Sequence, residues 1–348
     1  MPGLLQPAVV GATGYAGFEL ARLLYRHPQV NKPVLFTRDG GSGAPAQLDD
    51  VYPHISGNGG FPLQPFSWQK VQELGINLLF LATPHETSRE WVPEAMRQGI
   101  QVIDLSGAWR IANADFRAIY QFKDADAALA DKLTSEAVYG IPELYRDRLK
   151  DAPLVANPGC YATSIILALA PLLRAGLVDV EHGIICDSKS GVSGAGKEPT
   201  PKTHFVQVAE NLSAYSVFNH RHTGEILEQL GLAPEQLVFT PHLLPIPRGI
   251  LSTIYLNLRE RQTPEVIAKC LRDFYAGSPW LRVFAHDRLP QIQYSLYSNY
   301  CDVGFTLAPD GRRMVLVSCL DNLIKGAAGQ AVQNMNVVFG WNEEEGLK

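Results

Sequence analysis

The chain has 348 residues, 46% hydrophobic and 19% charged, an ordinary globular composition with enough apolar material for two cores. Its net charge of −5 comes without any block of like charges, so the basic stripe of a nucleic-acid or membrane-surface binder is missing. Five cysteines, odd in number and never at C-x-x-C spacing, argue against both a zinc site and a disulfide framework. No apolar run reaches membrane-spanning length, and residues 1–7 lack the charged and apolar regions of a secretory signal. These features point to the cytosol.

Up to about residue 158, short apolar runs alternate with helical patterns. Strands are expected at Ala8–Val10, Val34–Thr37, Leu78–Ala82, Val102–Leu105 and Leu154–Ala156, with helices at Phe18–Arg26 and Ser88–Gln98. This alternation predicts an α/β fold with a doubly wound, Rossmann-type parallel sheet. The Gly- and Pro-rich stretch 40–65 reads as a long irregular excursion. Beyond about residue 182 the strands lengthen and helices become few: Gly183–Asp187, Val238–Thr240, Leu251–Leu258, Asp302–Leu307 and Met314–Leu320. A second, α+β domain with a mostly antiparallel or mixed sheet is expected there, before a last helix over Asn322–Val338.

Gly11-Ala-Thr-Gly-Tyr-Ala-Gly17 follows the first strand and opens the first helix. Gly11, Gly14 and Gly17 permit a tight turn, Thr13 and Tyr15 lie within it, and the helix-start N–H groups would face a pyrophosphate. The second strand ends in Thr37-Arg38. A hydroxyl and a guanidinium suit a ribose 2′-phosphate, which favours NADP over NAD despite Asp39 next door.

The most informative stretch is Ala156-Asn-Pro-Gly-Cys-Tyr-Ala-Thr-Ser164. A strand ends at Asn157, the backbone turns through Pro158-Gly159, and a helix starts at Cys160 or Tyr161. A thiol at a helix N-terminus faces the positive end of the dipole, which favours the thiolate. The same N–H groups could hold an oxyanion on a carbonyl attacked by that sulfur. The other four cysteines read as small buried hydrophobes.

In chain order these motifs are joined by Tyr139-Gly-Ile-Pro-Glu143, Ser190-Gly-Val-Ser-Gly-Ala-Gly196, His220-Arg-His-Thr-Gly-Glu-Ile226 and Asn322-Leu-Ile-Lys-Gly-Ala-Ala-Gly-Gln-Ala331. The ordered set, spanning nearly the whole chain, resembles the N-acetyl-gamma-glutamyl-phosphate reductase family, itself similar in design to aspartate-semialdehyde dehydrogenase. The resemblance implies an NADP-dependent oxidoreductase that reduces N-acetyl-L-glutamyl 5-phosphate to the 5-semialdehyde in arginine biosynthesis. Cys160 matches the family's nucleophile. The last helix is implied to pack back onto the nucleotide domain beside the nicotinamide, with Asn334 among the cofactor residues. The domains are then 1–158 with 321–348, and 159–320. A homo-oligomer is expected, with no nucleic acid, membrane or metal as partner.

The substrate carries a carboxylate and a phosphate, so cations must converge on it. Ser106 and Arg110 follow the fourth expected strand at its carboxyl end, where ligands bind in such sheets. Asn157, Lys189 and Arg221 are further substrate candidates, with Lys197 and Arg248 behind them, and Ser190–Gly196 is expected as a flexible loop over the substrate. The acid–base group is expected at His222, with His220 as runner-up, because both lie in one short polar stretch. Two residues apart in a helix they would point roughly 200° from each other, so only one could face the sulfur. Glu225, three residues after His222, is placed to orient it.

Two alternatives stand beside this reading. One is a related acyl-phosphate reductase acting on an aspartyl or carrier-bound aminoadipyl substrate. The aspartyl enzymes resemble R-x-P-V-x-x-G-H, whereas this chain has Pro245-Ile-Pro-Arg-Gly-Ile250 with no His at the end. The other is a non-catalytic nucleotide sensor, which needs neither a helix-start cysteine nor a histidine pair. The cofactor assignment yields a direct test. A charge-assisted contact to a phosphate is worth roughly 1.5–3 kcal/mol, so Arg38→Ala should weaken NADPH use by roughly tenfold to a hundredfold and leave NADH use unchanged. Equal losses with both cofactors would mean that Arg38 only supports its loop.

Overall fold

The computed structural model describes residues 5–37, 46–57 and 60–348. They form two compact units, one of 1–112, 122–158 and 328–348, the other of 113–121 and 159–327. The return to the first unit comes at Ala328 rather than at 321, because residues 321 and 322 are tied into the second unit. Asn322 Oδ1 accepts the Gly249 N–H at 2.7 Å and its Nδ2 donates to Ser193 Oγ at 3.0 Å. Among the described residues no helix is long and apolar enough to cross a membrane.

The first unit holds a seven-stranded sheet in which every paired strand runs parallel. Its strands are β1 (Pro7–Val10), β2 (Val34–Thr37), β3 (Leu63–Pro65), β4 (Leu78–Leu81), β5 (Gln101–Asp104), β6 (Val138–Tyr139) and β7 (Leu154–Ala156), in the order β3-β2-β1-β4-β5-β7-β6. β1 and β4 are buried at every position, as strands covered on both faces must be. Pro7 opens β1 without loss, since a first residue need not donate to the ladder. The order reverses between β1 and β4, which makes the carboxyl ends of these strands the crevice for a ligand. The short strands β3 and β6 escape the sequence pattern, and β3 lies inside the stretch expected to be irregular.

The second unit holds a mixed seven-stranded sheet. Its strands are β8 (Ile184–Gly191), β9 (Ser213–Ala214), β10 (Leu237–Leu244), β11 (Ile250–Asn257), β12 (Leu281–Val283), β13 (Cys301–Leu307) and β14 (Arg313–Leu320), ordered β12-β13-β14-β11-β8-β10-β9. β8 pairs parallel with β10 and antiparallel with β11, so both kinds of ladder meet on one strand. Side chains alternate between the two faces. On β8, Ile184, Cys186, Ser188 and Ser190 are buried, while Ile185, Asp187 and Lys189 point to the other side.

The helix Cys160–Arg174 packs on the buried face and is itself buried from Tyr161 to Leu172. Its register is set by hydroxyls as well as by apolar contact. Ser164 Oγ lies 2.9 Å from Ser252 Oγ and 3.1 Å from Ser318 Oγ, and Ser188 Oγ lies 2.8 Å from Ser252 Oγ. Four buried hydroxyls on one helix and three strands satisfy one another, so a shifted helix would leave them unpaired. The expected last helix is two elements: a π-helical stretch, Ile324–Ala328, and an α-helix, Gly329–Val338.

Candidate active site

In the first unit, Gly11 leaves β1 with φ +82° and Gly17 sits in the first turn of the helix Tyr15–Tyr25. A Cβ on Gly17 would stand 2.2 Å from the Gly11 carbonyl oxygen, and one on Gly11 would stand 2.3 Å from that of Ala82. Only glycine lets these three backbones approach. A Cβ on Gly14 would meet nothing closer than Gly11 O at 3.5 Å, so bare backbone there faces open space. Gly14 caps the helix without a side chain, which leaves first-turn N–H groups to an outside acceptor. This is a cradle that a Cβ would fill, and it fits a dinucleotide pyrophosphate. Tyr52, which the sequence did not single out, braces it: its hydroxyl donates to Thr13 O at 3.0 Å and its ring stacks on Phe18 at 3.9 Å. Tyr15 opens the helix, and Thr37 is buried at the end of β2 with its hydroxyl 3.4 Å from Gln64 O. Arg38 lies outside the described residues.

The carboxyl ends of β5 and β7 carry a polar cluster that holds four of the expected site residues, Ser106, Arg110, Asn157 and Asn334. Ser106 Oγ donates to Asp104 Oδ2 at 2.7 Å and accepts the Ala108 N–H, so its proton is already directed inward rather than at a phosphate. Asp104 is fully buried. Burial pushes its carboxyl above the usual range, against the pull of the Ser106 hydroxyl and N–H. Arg110 donates from Nε to Asn157 O at 2.7 Å and from Nη2 to Leu105 O at 2.6 Å, which fixes its guanidinium at the carboxyl ends of β5 and β7. Asn334 is fully buried and donates to Gly140 O and to Asn157 Oδ1, both at 2.9 Å. It thus fastens Asn157, itself fully buried.

In the second unit, Cys160 starts its helix after Gly159, which has no capping side chain. The Gly159 carbonyl accepts both the N–H and the hydroxyl of Thr163, at 2.8 and 3.0 Å, and closes the first turn. Two neighbours depend on missing side chains. A Cβ on Gly159 would stand 2.4 Å from His222 Nε2, so the imidazole lies directly on the residue before the thiol. A Cβ on Gly326 would stand 2.7 Å from Cys160 Cβ, so the π-helical stretch presses against the cysteine itself. Such π segments gather at functional sites.

His222 is the first residue of the helix His222–Leu230. Glu225, fully buried one turn on, accepts the Gly159 N–H at Oε2 (3.0 Å) and holds Oε1 3.9 Å from His222 Nε2. One carboxyl therefore bonds the turn before Cys160 and lies within ion-pair range of the imidazole beside it. The pairing of Glu225 with His222 was legible from spacing; its bond to Gly159 was not. His220 precedes the helix, so the two rings do not diverge as helical spacing implied and lie 4.7 Å apart.

The remaining cations separate. Lys189 is on the sheet face opposite the Cys160 helix, its Nζ 2.8 Å from Asp187 Oδ1, because alternation along β8 turns it away from that helix. Arg248 pairs with buried Asp321 at 3.3 Å and lies over Tyr297. Arg221 is exposed, with its guanidinium 5.9 Å from the Tyr120 ring centre, and Lys197 is exposed. The first part of the 190–196 segment is hydrogen-bonded through Gly191, Val192 and Ser193 to the backbone of 246–249. Among the described residues no group of His, Cys, Asp and Glu is arranged to hold a metal ion.

A family model described as "Semialdehyde dehydrogenase, NAD binding domain" matches residues 7–152, and one described as "Semialdehyde dehydrogenase, dimerisation domain" matches 160–322. The chain is 45% identical to the N-acetyl-gamma-glutamyl-phosphate reductase of Pelotomaculum thermopropionicum, over 98% of this chain and 96% of that protein. The chain belongs to the N-acetyl-gamma-glutamyl-phosphate reductase family. A reductase of the same name from Methanocaldococcus jannaschii is 41% identical over 98% and 97% of the two chains. In fold, the chain is similar to aspartate semialdehyde dehydrogenase II from Vibrio cholerae (TM-score 0.70, 18% identity, 96% and 98% covered). It is similar also to the Candida albicans aspartate semialdehyde dehydrogenase solved with NADP (TM-score 0.66, 16% identity, 96% and 98% covered).

His220 supplies a test of the site that is independent of substrate. Burial, reinforced by His222 nearby, lowers its imidazole from an ordinary 6.5 to about 3. The folded state thus takes up the proton less readily than the unfolded chain. The stability that this contributes is complete above pH 6.5 and is lost as the pH falls from there towards about 3. Denaturant unfolding across that window should show the decline, and His220→Asn should flatten it. An unaltered slope in the variant would show that His220 is not the group responsible.

Proposed function

We propose that this chain reduces N-acetyl-L-glutamyl 5-phosphate to N-acetyl-L-glutamate 5-semialdehyde with NADPH as reductant, releasing phosphate, as a step of arginine biosynthesis. The observation that carries the reading is the Glu225 carboxyl, shared between the turn before Cys160 and the imidazole of His222. The name borne by the relatives supports the substrate.

An acyl phosphate hydrolyses readily, so trapping it on sulfur protects the acyl group while phosphate leaves. The Cys160 thiolate attacks the acyl carbon; the new C–S bond replaces the C–O bond to phosphate, which departs with the bonding pair. First-turn N–H groups of the Cys160 helix face the oxygen that gathers charge. Gly11, Gly14 and Gly17 would hold the dinucleotide, which would supply the hydride chemistry needed to bring the thioester to the oxidation level of the aldehyde. His222 gives the proton to the carbonyl oxygen and takes it back as the C–S bond breaks, with Glu225 holding its ring. Arg221 is the candidate for a charged substrate group. The description of 160–322 as a dimerisation domain supports a homo-oligomer.

The reverse assay tests the whole reading: NADP reduction with phosphate and a panel of semialdehydes. N-acetyl-glutamate semialdehyde should be the favoured substrate, and preference for the aspartyl compound would overturn the assignment. Cys160→Ser should abolish turnover while leaving NADPH binding intact; wild-type-like rates would eliminate the covalent route. His222→Asn should lower kcat by roughly 10²–10⁴ and flatten the pH profile near neutrality.

A further inference from the structure

We propose that His220 is the cap of the helix carrying His222 and Glu225, a positioning residue for His222 with no proton-transfer role of its own. The inference rests on the assignment of His222 as acid–base group. Its basis is a pair of hydrogen bonds. The His220 carbonyl accepts the Thr223 N–H at 2.9 Å, and its ring Nδ1 accepts the His222 N–H at 3.1 Å. Arg221, between the two histidines, already has helical backbone angles (φ −55°, ψ −31°) and offers no capping side chain, so the acceptor for the N–H that opens the helix comes from His220, as an N-cap residue would supply it. Here a ring nitrogen does the work of the usual Ser, Asp or Asn oxygen, two residues before the acid–base group.

The ring is held from several sides. Tyr161, from the Cys160 helix, meets it edge-on at 5.7 Å, Phe239 of β10 at 5.3 Å and Tyr215 at 5.6 Å. These contacts fix the acceptor, and the acceptor fixes the backbone of His222, whose ring then rests on Gly159. Accepting at Nδ1 requires the unprotonated nitrogen, so the ring proton sits on Nε2. The charged and titratable neighbours agree. Burial, His222 and Arg221 drive the His220 proton off, Glu225 opposes them, and the phenols of Tyr161 and Tyr215 are themselves shifted upward by burial. A group that stays neutral cannot act as the acid in the cycle. Its neutrality also means that His222 gains a proton without a like charge one ring away. An imidazole here caps the helix, fills an aromatic cage and adds no charge, three tasks that no usual cap residue combines.

Three variants test this: His220→Asn keeps a neutral acceptor, His220→Asp keeps an acceptor but adds charge, and His220→Leu removes the acceptor. Each is assayed for kcat and KM across the neutral pH range, and the His222 imidazole is titrated by NMR. The Asn variant should keep most of kcat and the wild-type pH profile. The Asp variant should stay active with its acid limb, and the His222 titration, moved to higher pH, since a nearby carboxylate favours the imidazolium. The Leu variant should lose roughly 10²-fold in kcat with little change in KM, the scale of a misplaced catalytic group. An Asn variant as crippled as His222→Asn would make His220 a proton carrier and overturn the proposal, as would a Leu variant with wild-type kcat and His222 titration. If the Leu variant does not fold, the Asn and Asp variants still decide. Should none of the semialdehydes support NADP reduction by the wild type, the proposed reaction fails, while the His222 titrations still judge the cap.

Discussion

A carboxyl with no solvent exposure must be satisfied from within the protein, and Glu225 is satisfied by the two things that its reaction needs together. Its Oε2 takes the Gly159 N–H, which belongs to the turn just before Cys160, and its Oε1 lies within ion-pair range of His222. Removing either partner would leave a buried polar group without its compensation, which is more costly than the bond itself is stabilising. The helix starts at Cys160 and His222 are therefore coupled: neither can drift without exposing Glu225 to that cost. Gly159 completes the constraint, because any side chain there would occupy the space of the imidazole.

The second sheet supports this arrangement from below. Its buried face offers Ser188, Ser252 and Ser318 to Ser164, one turn beyond Cys160, so the helix is located by hydroxyl pairing as well as by apolar packing. Dispersion contacts alone tolerate small slips; a closed set of buried hydroxyls does not. On the other side of the cysteine, Gly326 allows the π-helical stretch to press against Cys160. Cys160 is thus confined by groups from three separate parts of the second unit.

The nucleotide loop follows the same logic with fewer parts. Gly11 and Gly17 are glycine because carbonyl oxygens stand where their Cβ atoms would be, whereas Gly14 is bare towards open space. Two glycines shape the loop and one leaves room for what it binds. Tyr52 then holds the loop through Thr13 O, a contact between residues 39 positions apart.

What the sequence by itself determined is what depends on local chemistry and short spacing. The glycine loop after β1, the cysteine at a helix start, the proximity of Glu225 to His222 and the change from parallel to mixed sheet all follow from patterns a few residues long. Bond direction and face were decided only by the tertiary structure. Lys189 looks like any lysine beside a Gly-rich segment until strand register places it on the far face of β8 with Asp187. Arg110, Ser106 and Asn334 have the right groups for a ligand, yet those groups are turned onto Asn157, Asp104 and Gly140. His220 and His222 could not be ranked by helical spacing, because the helix begins between them. A side chain's type is written in the sequence, but its partner is fixed by chain segments tens to hundreds of residues away, and hydrogen bonds are too short-ranged and directional to be inferred without them.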